Sequence, residues 1–334
     1  MNTKNIYIYV FYIVLYSMYY YISNIIWVIE LSVYIIIYFL IFYLLYITWK
    51  KIRNSIPMLF TDFIYYFLYK LSIFIIVLLS LLWSFSYYYN EISPAPMPEY
   101  TISNWTKTIV FQAMSHIWTK EFYQNIKNNI KENKTNWFVY FFEWVKPGSE
   151  ESTKKFNQAL KVNFNDKLYK NFSKLYWISN QDNRDFFGLV NSLDFNVDLN
   201  MDEIVALYEK KTTNKKIKKE IIPLDITEDI TNTLLSLNER QLKILVYINK
   251  SILNFIVGSP KLQKTLTDNV TDKDLFDVIL NERNKNLSNE IINSKYNNIY
   301  ITYWLLHFKW VLELLQDNDS NWKIIKQINY YPIK

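Results

Sequence analysis

Between Asn5 and Trp49 the chain carries one charged side chain, Glu30, and between residues 63 and 89 again only one, Lys70. Stretches this long and this poor in charge have no place on a water-exposed surface. A bilayer core of about 30 Å is crossed by ~20 apolar residues rising 1.5 Å each. The first stretch is too long for one such span and suits two, over about 6–23 and 31–49; the second predicts another over about 63–89. Ser23-Asn24 and Glu30 mark the expected turn. With no Gly or Pro there, a single long helix leaving the bilayer is the alternative, so two or three spans are expected. Trp27, Trp49, Trp83 and Tyr87 to Tyr89 lie near the ends of these runs, where an aromatic belt would place them. Lys70 sits near the start of its run, within snorkelling reach of the interface.

Charge separates this region from the rest. Residues 1–90 hold five of the 37 basic and two of the 31 acidic side chains, leaving 32 and 29 for residues 91–334. A cleavable signal peptide does not fit residues 1–25, since Lys4 stands alone, the apolar run is too long and no small-residue cleavage site follows. An Arg-rich transit peptide is equally absent from the sequence. The basic loop Lys50-Lys51-Ile52-Arg53 sets orientation, because short Lys/Arg-rich loops stay on the side of synthesis. One more span follows that loop, so everything downstream is expected on the opposite side.

Ser93-Pro94-Ala95-Pro96-Met97-Pro98 reads as a semi-rigid spacer, giving a transmembrane region 1–90 and a linker 91–99. Beyond it the signals are helical: a soluble lobe over 100–209, a Lys-rich loop over 210–222 and a second lobe over 223–334. Ser236-Leu237-Asn238-Glu239 opens a predicted helix 237–257 that Gly258 and Pro260 stop. Asn200 caps Met201-Asp202-Glu203, and Thr271 with Asp274 opens a shorter helix. Residues 299–316 place Trp304, Phe308, Val311 and Leu315 on one stripe, with Leu305 and Leu312 beside it, and read as an amphipathic core or docking helix. The fold class expected is therefore a mainly α membrane protein: two or three N-terminal transmembrane helices, then a mostly helical soluble domain.

The chemistry-bearing residues are few. The absence of Cys removes disulfides, thiolate metal sites and a Cys nucleophile, and three Gly leave no phosphate-cradling loop. His116 and His307 could ligate a haem or metal as a pair, yet core packing is the default reading. Asp317-Asn318-Asp319 imitates a calcium loop, but Trp322 stands where Gly is needed and Ile328 where a bidentate Glu belongs. Asn104 and Asn171 fit glycosylation sequons by chance in so Asn-rich a chain. Lys210, Lys211, Lys215, Lys216, Lys218 and Lys219 are candidates for lipid contact, cardiolipin included; without Arg or interleaved aromatics they make a poor nucleic-acid signature. Glu30 is the candidate intramembrane carboxylate, with Asp62 and Lys70 as partners if it handles ions or protons, or an interfacial turn residue otherwise. No cofactor is expected.

Composition points to a genome. Gly, Ala, Pro and Arg are scarce while Lys, Asn, Ile, Tyr and Phe abound, as in an AT-rich gene; eleven Trp then suggest a code in which UGA is read as Trp. The Tyr-rich spans (Tyr19 to Tyr21, Ile35 to Tyr46, Tyr87 to Tyr89) and Lys/Asn-rich helices resemble the mitochondrially encoded Ymf-type reading frames of ciliates, in composition and architecture over the whole chain. That resemblance implies a divergent subunit of a respiratory complex, the ATP synthase or the mitochondrial ribosome, and the spans speak against the last. Tyr303-Trp304-Leu305-Leu306-His307-Phe308-Lys309-Trp310 is similar to a stretch of a late membrane helix in cytochrome oxidase subunit three. Two Leu intervene between Trp304 and His307, Lys309 replaces an acidic residue, and the match is assigned to chance. The resulting expectation is a non-catalytic, structural subunit of an inner-membrane respiratory complex, cytochrome c oxidase first, with its soluble domain in the intermembrane space and other subunits and lipids as partners. Complex I or the ATP synthase, a proton or ion transporter using Glu30, and an RNA- or lipid-binding scaffold are the alternatives.

Overall fold

The structure, a computed structural model, describes residues 3–23, 25–114, 117–160, 166–176, 179–180, 186–212, 227–259, 261–263, 265 and 273–333. It is mostly helical, and it divides into two units, 1–88 with 235–248, and 89–234 with 249–334.

In the first unit the charge-free runs form α1 (Thr3–Ile22), α2 (Ile25–Ile52) and α3 (Phe60–Tyr87). Within them, 27–52 and, with the π-helical turn that continues α3, 60–92 are long and apolar enough to cross a membrane; 6–22 is a shorter apolar helix. The break falls at Ser23, as the polar pair predicts, which rules out one continuous helix across 5–49. Glu30, by contrast, lies inside α2 rather than in the turn. The three helices meet through aromatic side chains. Phe39 packs against Phe60, Phe63 and Phe67 at ring separations of 5.4–5.8 Å, and Tyr46 stacks on Phe63 at 4.8 Å. Tyr12 OH donates to Leu68 O (3.2 Å) and Ser32 Oγ to Tyr16 OH (3.1 Å). The open carbonyls ending α1 are capped by distant residues: Asn238 Nδ2 donates to Ile22 O at 2.7 Å and Arg240 Nη1 to Tyr21 O at 2.6 Å.

The second unit adds to the expected helices a sheet that the sequence reading did not contain. Its centre is a six-stranded mixed sheet of β1 (Met97–Ser103), β2 (Thr108–Met114), β4 (Val139–Phe142), β6 (Phe195–Asn196), β7 (Asn298–Trp304) and β8 (Lys323–Tyr330), in the order β6-β4-β7-β2-β1-β8. β3 (Ile117–Trp118) and β5 (Ser179–Asn180) pair separately. β6, β4, β7 and β2 run parallel, while β1 is antiparallel to β2 and β8. The helices after α3 are α4 (Lys120–Thr135), α5 (Glu150–Leu160), α6 (Asp166–Tyr176), α7 (Met201–Thr212), α8 (Thr227–Ser236), α9 (Glu239–Val257), α10 (Lys273–Asp277), α11 (Arg283–Asn293) and α12 (Phe308–Asn318), of which α9 as far as residue 248 belongs to the first unit.

Each miss has a physical cause. Thr108-Ile-Val-Phe-Gln-Ala-Met is buried on both faces, and a parallel strand of that kind shows no polar alternation to read. The predicted helix 299–316 is two elements: 298–304 alternates β-branched and aromatic residues and joins the sheet, whereas Phe308, Val311 and Leu315 are the buried stripe of α12. The predicted spacer is docked, not free. Ala95 and Met97 are buried, Ala95 N donates to Asn254 Oδ1 at 2.9 Å, and Pro98 enters β1 opposite Asn329 of β8, before the pairing with β2 begins. The helix start at 201 holds, through the capping box of Asn200 with Glu203, whereas the helix predicted over 237–257 begins at 239, boxed by Asn238 with Gln241. The second cap is thus Asn238, two residues beyond Ser236. Thr271 lies outside the described residues.

Both sheet faces are covered. Leu287 and Ile291 of α11 and Val311 and Leu315 of α12 pack on Ile109, Phe111, Phe141, Ile299 and Ile301; on the other face Phe122, Ile126 and Ile130 of α4 pack on Val110, Tyr140 and Tyr300. The C-terminus of α11 is tied to the sheet by Lys107, whose Nζ donates to Ile291 O, Ile292 O and Ser294 O at 2.8, 2.9 and 2.6 Å. A half-buried cation at a helix C-terminus contributes up to about 2 kcal/mol. Lys107→Met is therefore expected to lower unfolding stability by about 2 kcal/mol, read by chemical denaturation, while Lys295→Met on the same edge changes it little.

Candidate functional site

At the carboxyl ends of the parallel strands three loops deliver charge to one point. β4 runs out into Glu143, β6 is followed by Asp198, β7 contributes Tyr303, and α11 begins with Arg283. Asp198 accepts from Arg283 twice, at Oδ1 from Nε (2.6 Å) and at Oδ2 from Nη2 (2.7 Å). Arg283 Nη2 also pairs with Glu143 Oε1, and the other Glu143 oxygen accepts from Trp304 N at 2.6 Å. Tyr303 OH donates to Asp198 Oδ1 (3.1 Å), and its ring lies 5.5 Å from the guanidinium carbon. The side chains of Arg283, Asp198 and Glu143 are 6%, 0% and 10% exposed, so water supplies almost none of their solvation.

That burial sets the titration. Desolvation pushes the Asp198 carboxyl up, as does the Glu143 charge, against the pull of Arg283. Arg283 is disfavoured by burial too, but Tyr303, Glu143 and Asp198 outweigh it and hold its pKa above the ordinary value. Burial also raises Tyr303. Nε and Nη2 of the guanidinium are thus held by both carboxylates, and Glu143 ties the cluster to the Trp304 backbone as well. Such a centre joins β4, β7, the β6–α7 connection and α11.

Beside it sits His307, fully buried, its Nδ1–H donating to Asn284 Oδ1 at 2.6 Å and its ring edge-on to Tyr303 at 4.7 Å. Desolvation, helped by the Arg283 charge and opposed by Glu143, lowers its pKa from 6.5 to about 3, so the imidazole is neutral. His307 Nε2, Asn284 Nδ2 and Ser288 Oγ have no partner among the described residues. Asn284 also lines a surface cavity of about 240 Å³ with Glu282, Trp310 and Glu313.

The residues singled out in the sequence are dispersed. Glu30 is exposed on α2, Asp62 lies in the first turn of α3, and among the described residues no ion pair joins Glu30 to Lys70 farther along α3; Lys70 Nζ lies 5.7 Å over Tyr66. Lys50 and Lys51 end α2, and Arg53 stacks on Trp49 at 4.4 Å. Lys210 and Lys211 lie in the last turn of α7, and Lys211 is paired with Asp277 and Glu282. Lys215, Lys216, Lys218, Lys219 and His116 lie outside the described residues. Sequence reasoning missed Glu143, Asp198 and Arg283. One signal was available: a chain that writes Lys for nearly every cation keeps four Arg, and the three described ones, Arg53, Arg240 and Arg283, all lie over an aromatic ring, where a planar cation outperforms Lys.

No protein-family model matches the chain, no curated protein matches it, and no solved structure matches its fold.

Proposed function

We propose that the chain is a non-catalytic, membrane-anchored subunit of a respiratory complex of the mitochondrial inner membrane, with cytochrome c oxidase the first assignment and complex I or the ATP synthase next. The observation that carries the membrane part is the exposure of its apolar helices. None of the most apolar window of α2 and 11% of that of α3 is buried inside the molecule, which favours membrane spans over core helices of a soluble fold. At 26 and 33 residues they measure about 39 and 50 Å, more than a 30 Å hydrocarbon core requires. The domain beyond them spends its buried charges on one another, which suits an architectural part. The mitochondrial assignment rests on composition and on the resemblance stated above. Lys50, Lys51 and Arg53 on the matrix side put the following domain in the intermembrane space; neighbouring subunits and lipids, cardiolipin among them, are its partners.

Mass spectrometry of the native-gel band containing this chain tests the assignment. Co-migration with cytochrome oxidase subunits is expected; complex I or ATP synthase subunits would reassign it, and migration as a free monomer would overturn the subunit reading. Protease added to mitoplasts should degrade residues 100–334, and full protection would reverse the orientation. In the transport reading Glu30→Gln abolishes ion or proton flux; as a structural subunit the variant assembles and the complex works normally.

A further inference from the structure

Two tryptophans stand out as the most wastefully placed side chains of the second unit. Trp105, in the β1–β2 turn, and Trp137, between α4 and β4, are 85% and 88% exposed, and both hold left-handed backbone, φ 75° and 64°. Trp137 occupies the position after the α4 cap where helices favour Gly: Phe138 N bonds Asn133 O and Trp137 N bonds Lys134 O, the pairing of a Schellman turn. A bulky side chain at positive φ is strained, and an exposed indole gains nothing from burial. Scarcity of Gly does not account for the choice, because Asn tolerates this backbone and abounds in the chain; the remaining positive-φ residue among those described is Asn54.

The topology brings the two turns to one end of the sheet. β2 and β4 flank β7 in parallel, with Ile109, Ile299 and Val139 in register, so both turns emerge from the same edge of the sheet, two strand spacings or roughly 10 Å apart. Leu193 and Phe195, 54% and 40% exposed, reach the same edge from β6. The charges of these turns are sorted. Asp194 is paired with Lys134; Asp319, bonded by Asn104 and Asn321, keeps its negative charge, and against it stand Lys107, held by the α11 carbonyls, and Lys295 and Lys323, exposed with no carboxylate partner among the described residues, so cations are in excess. An apolar aromatic rim with unpaired cations around it is the chemistry of a bilayer headgroup layer carrying negative charge.

We infer that this edge, Trp105 and Trp137 with Lys295 and Lys323, inserts into the interface of an anionic membrane, giving the domain a second attachment besides its apolar helices. The inference rests on the membrane reading above. Because the chain has no Cys, single nitroxide labels at Thr106→Cys and Asn136→Cys leave both tryptophans in place. The full chain is reconstituted in nanodiscs containing phosphatidylglycerol, and label contact with a water-soluble nickel complex is measured against a label at Lys146→Cys, on the opposite sheet edge. Contact about threefold or more lower at 106 and 136 is expected, and Trp105→Asn with Trp137→Asn should restore it without loss of thermal stability. A chain that does not enter the nanodisc refutes the membrane reading itself. An inserted chain whose labels are as accessible as the one at 146, or remain shielded in the double Asn variant, overturns the present inference alone. Shielding that appears only on adding mitochondrial protein also overturns it and assigns the edge to a protein partner.

Discussion

Arg283→Ala is expected to destabilise the sheet domain by about 3–5 kcal/mol, because it leaves two desolvated carboxylates without their cation. The loss has three parts: the paired hydrogen bonds to Asp198, the bond to Glu143 and the stacking on Tyr303. Arg283→Lys should recover only a fraction, since one ammonium cannot face both carboxylates with the geometry of the fork. Replacing all three charges together, Arg283→Met with Asp198→Leu and Glu143→Leu, should cost far less than Arg283→Ala alone, as buried ion clusters exchanged for apolar residues are often neutral. Denaturant titration of the reconstituted chain measures each variant. If Arg283→Ala costs under about 1 kcal/mol, the centre is not buried in the way described.

Acid should unfold the same domain through His307. Its folded pKa is about 3 against an ordinary 6.5, so the folded state refuses a proton that the unfolded chain accepts. Stability is fully present above pH 6.5 and is withdrawn as pH falls toward 3. At 1.36 kcal/mol per unit the group accounts for about 3 kcal/mol lost by pH 4. Asp198 acts with the opposite sign: its folded pKa is raised, so its protonation at low pH favours the folded state and its contribution diminishes as pH rises. His307→Gln keeps a partner for Asn284 and removes the imidazole. The difference between its stability–pH curve and that of the parent chain isolates the histidine term, and parallel curves between pH 7 and 4 would refute the account.

How legible each part was depends on which force wrote it. Absence of charge announces apolar helices directly, and α2 and α3 are found where the uncharged runs lie. Caps are local, so Asn200 and Asn238 sit within reach of their own partners, Glu203 and Gln241, three residues on. Strands buried on both faces carry no period, and β2 is indistinguishable in pattern from a stretch of buried helix. β7 misled further, because Trp304 closes a strand while Phe308 opens a helix and the two fall at helical spacing. The buried centre was hidden for another reason: Glu143, Asp198, Arg283 and Tyr303 come from four segments of the chain, and only the sheet brings them together. A single Asp or Glu after a strand carries no mark of its partner.

The place of β7 in the sheet bears on how the chain becomes a protein. β2 and β4, made early, do not pair with each other; each pairs with β7, and Thr108 waits for Asn298. Closing a loop of that length costs the unfolded chain about 5 kcal/mol, and no sheet contact rewards it until the last tenth of the sequence has been synthesised. Until then two apolar strands expose open edges, the condition under which nascent chains aggregate. A ribosome that stops anywhere before residue 298 thus releases the apolar helices bearing an unfinishable domain, a product for proteolysis and not a shorter working version.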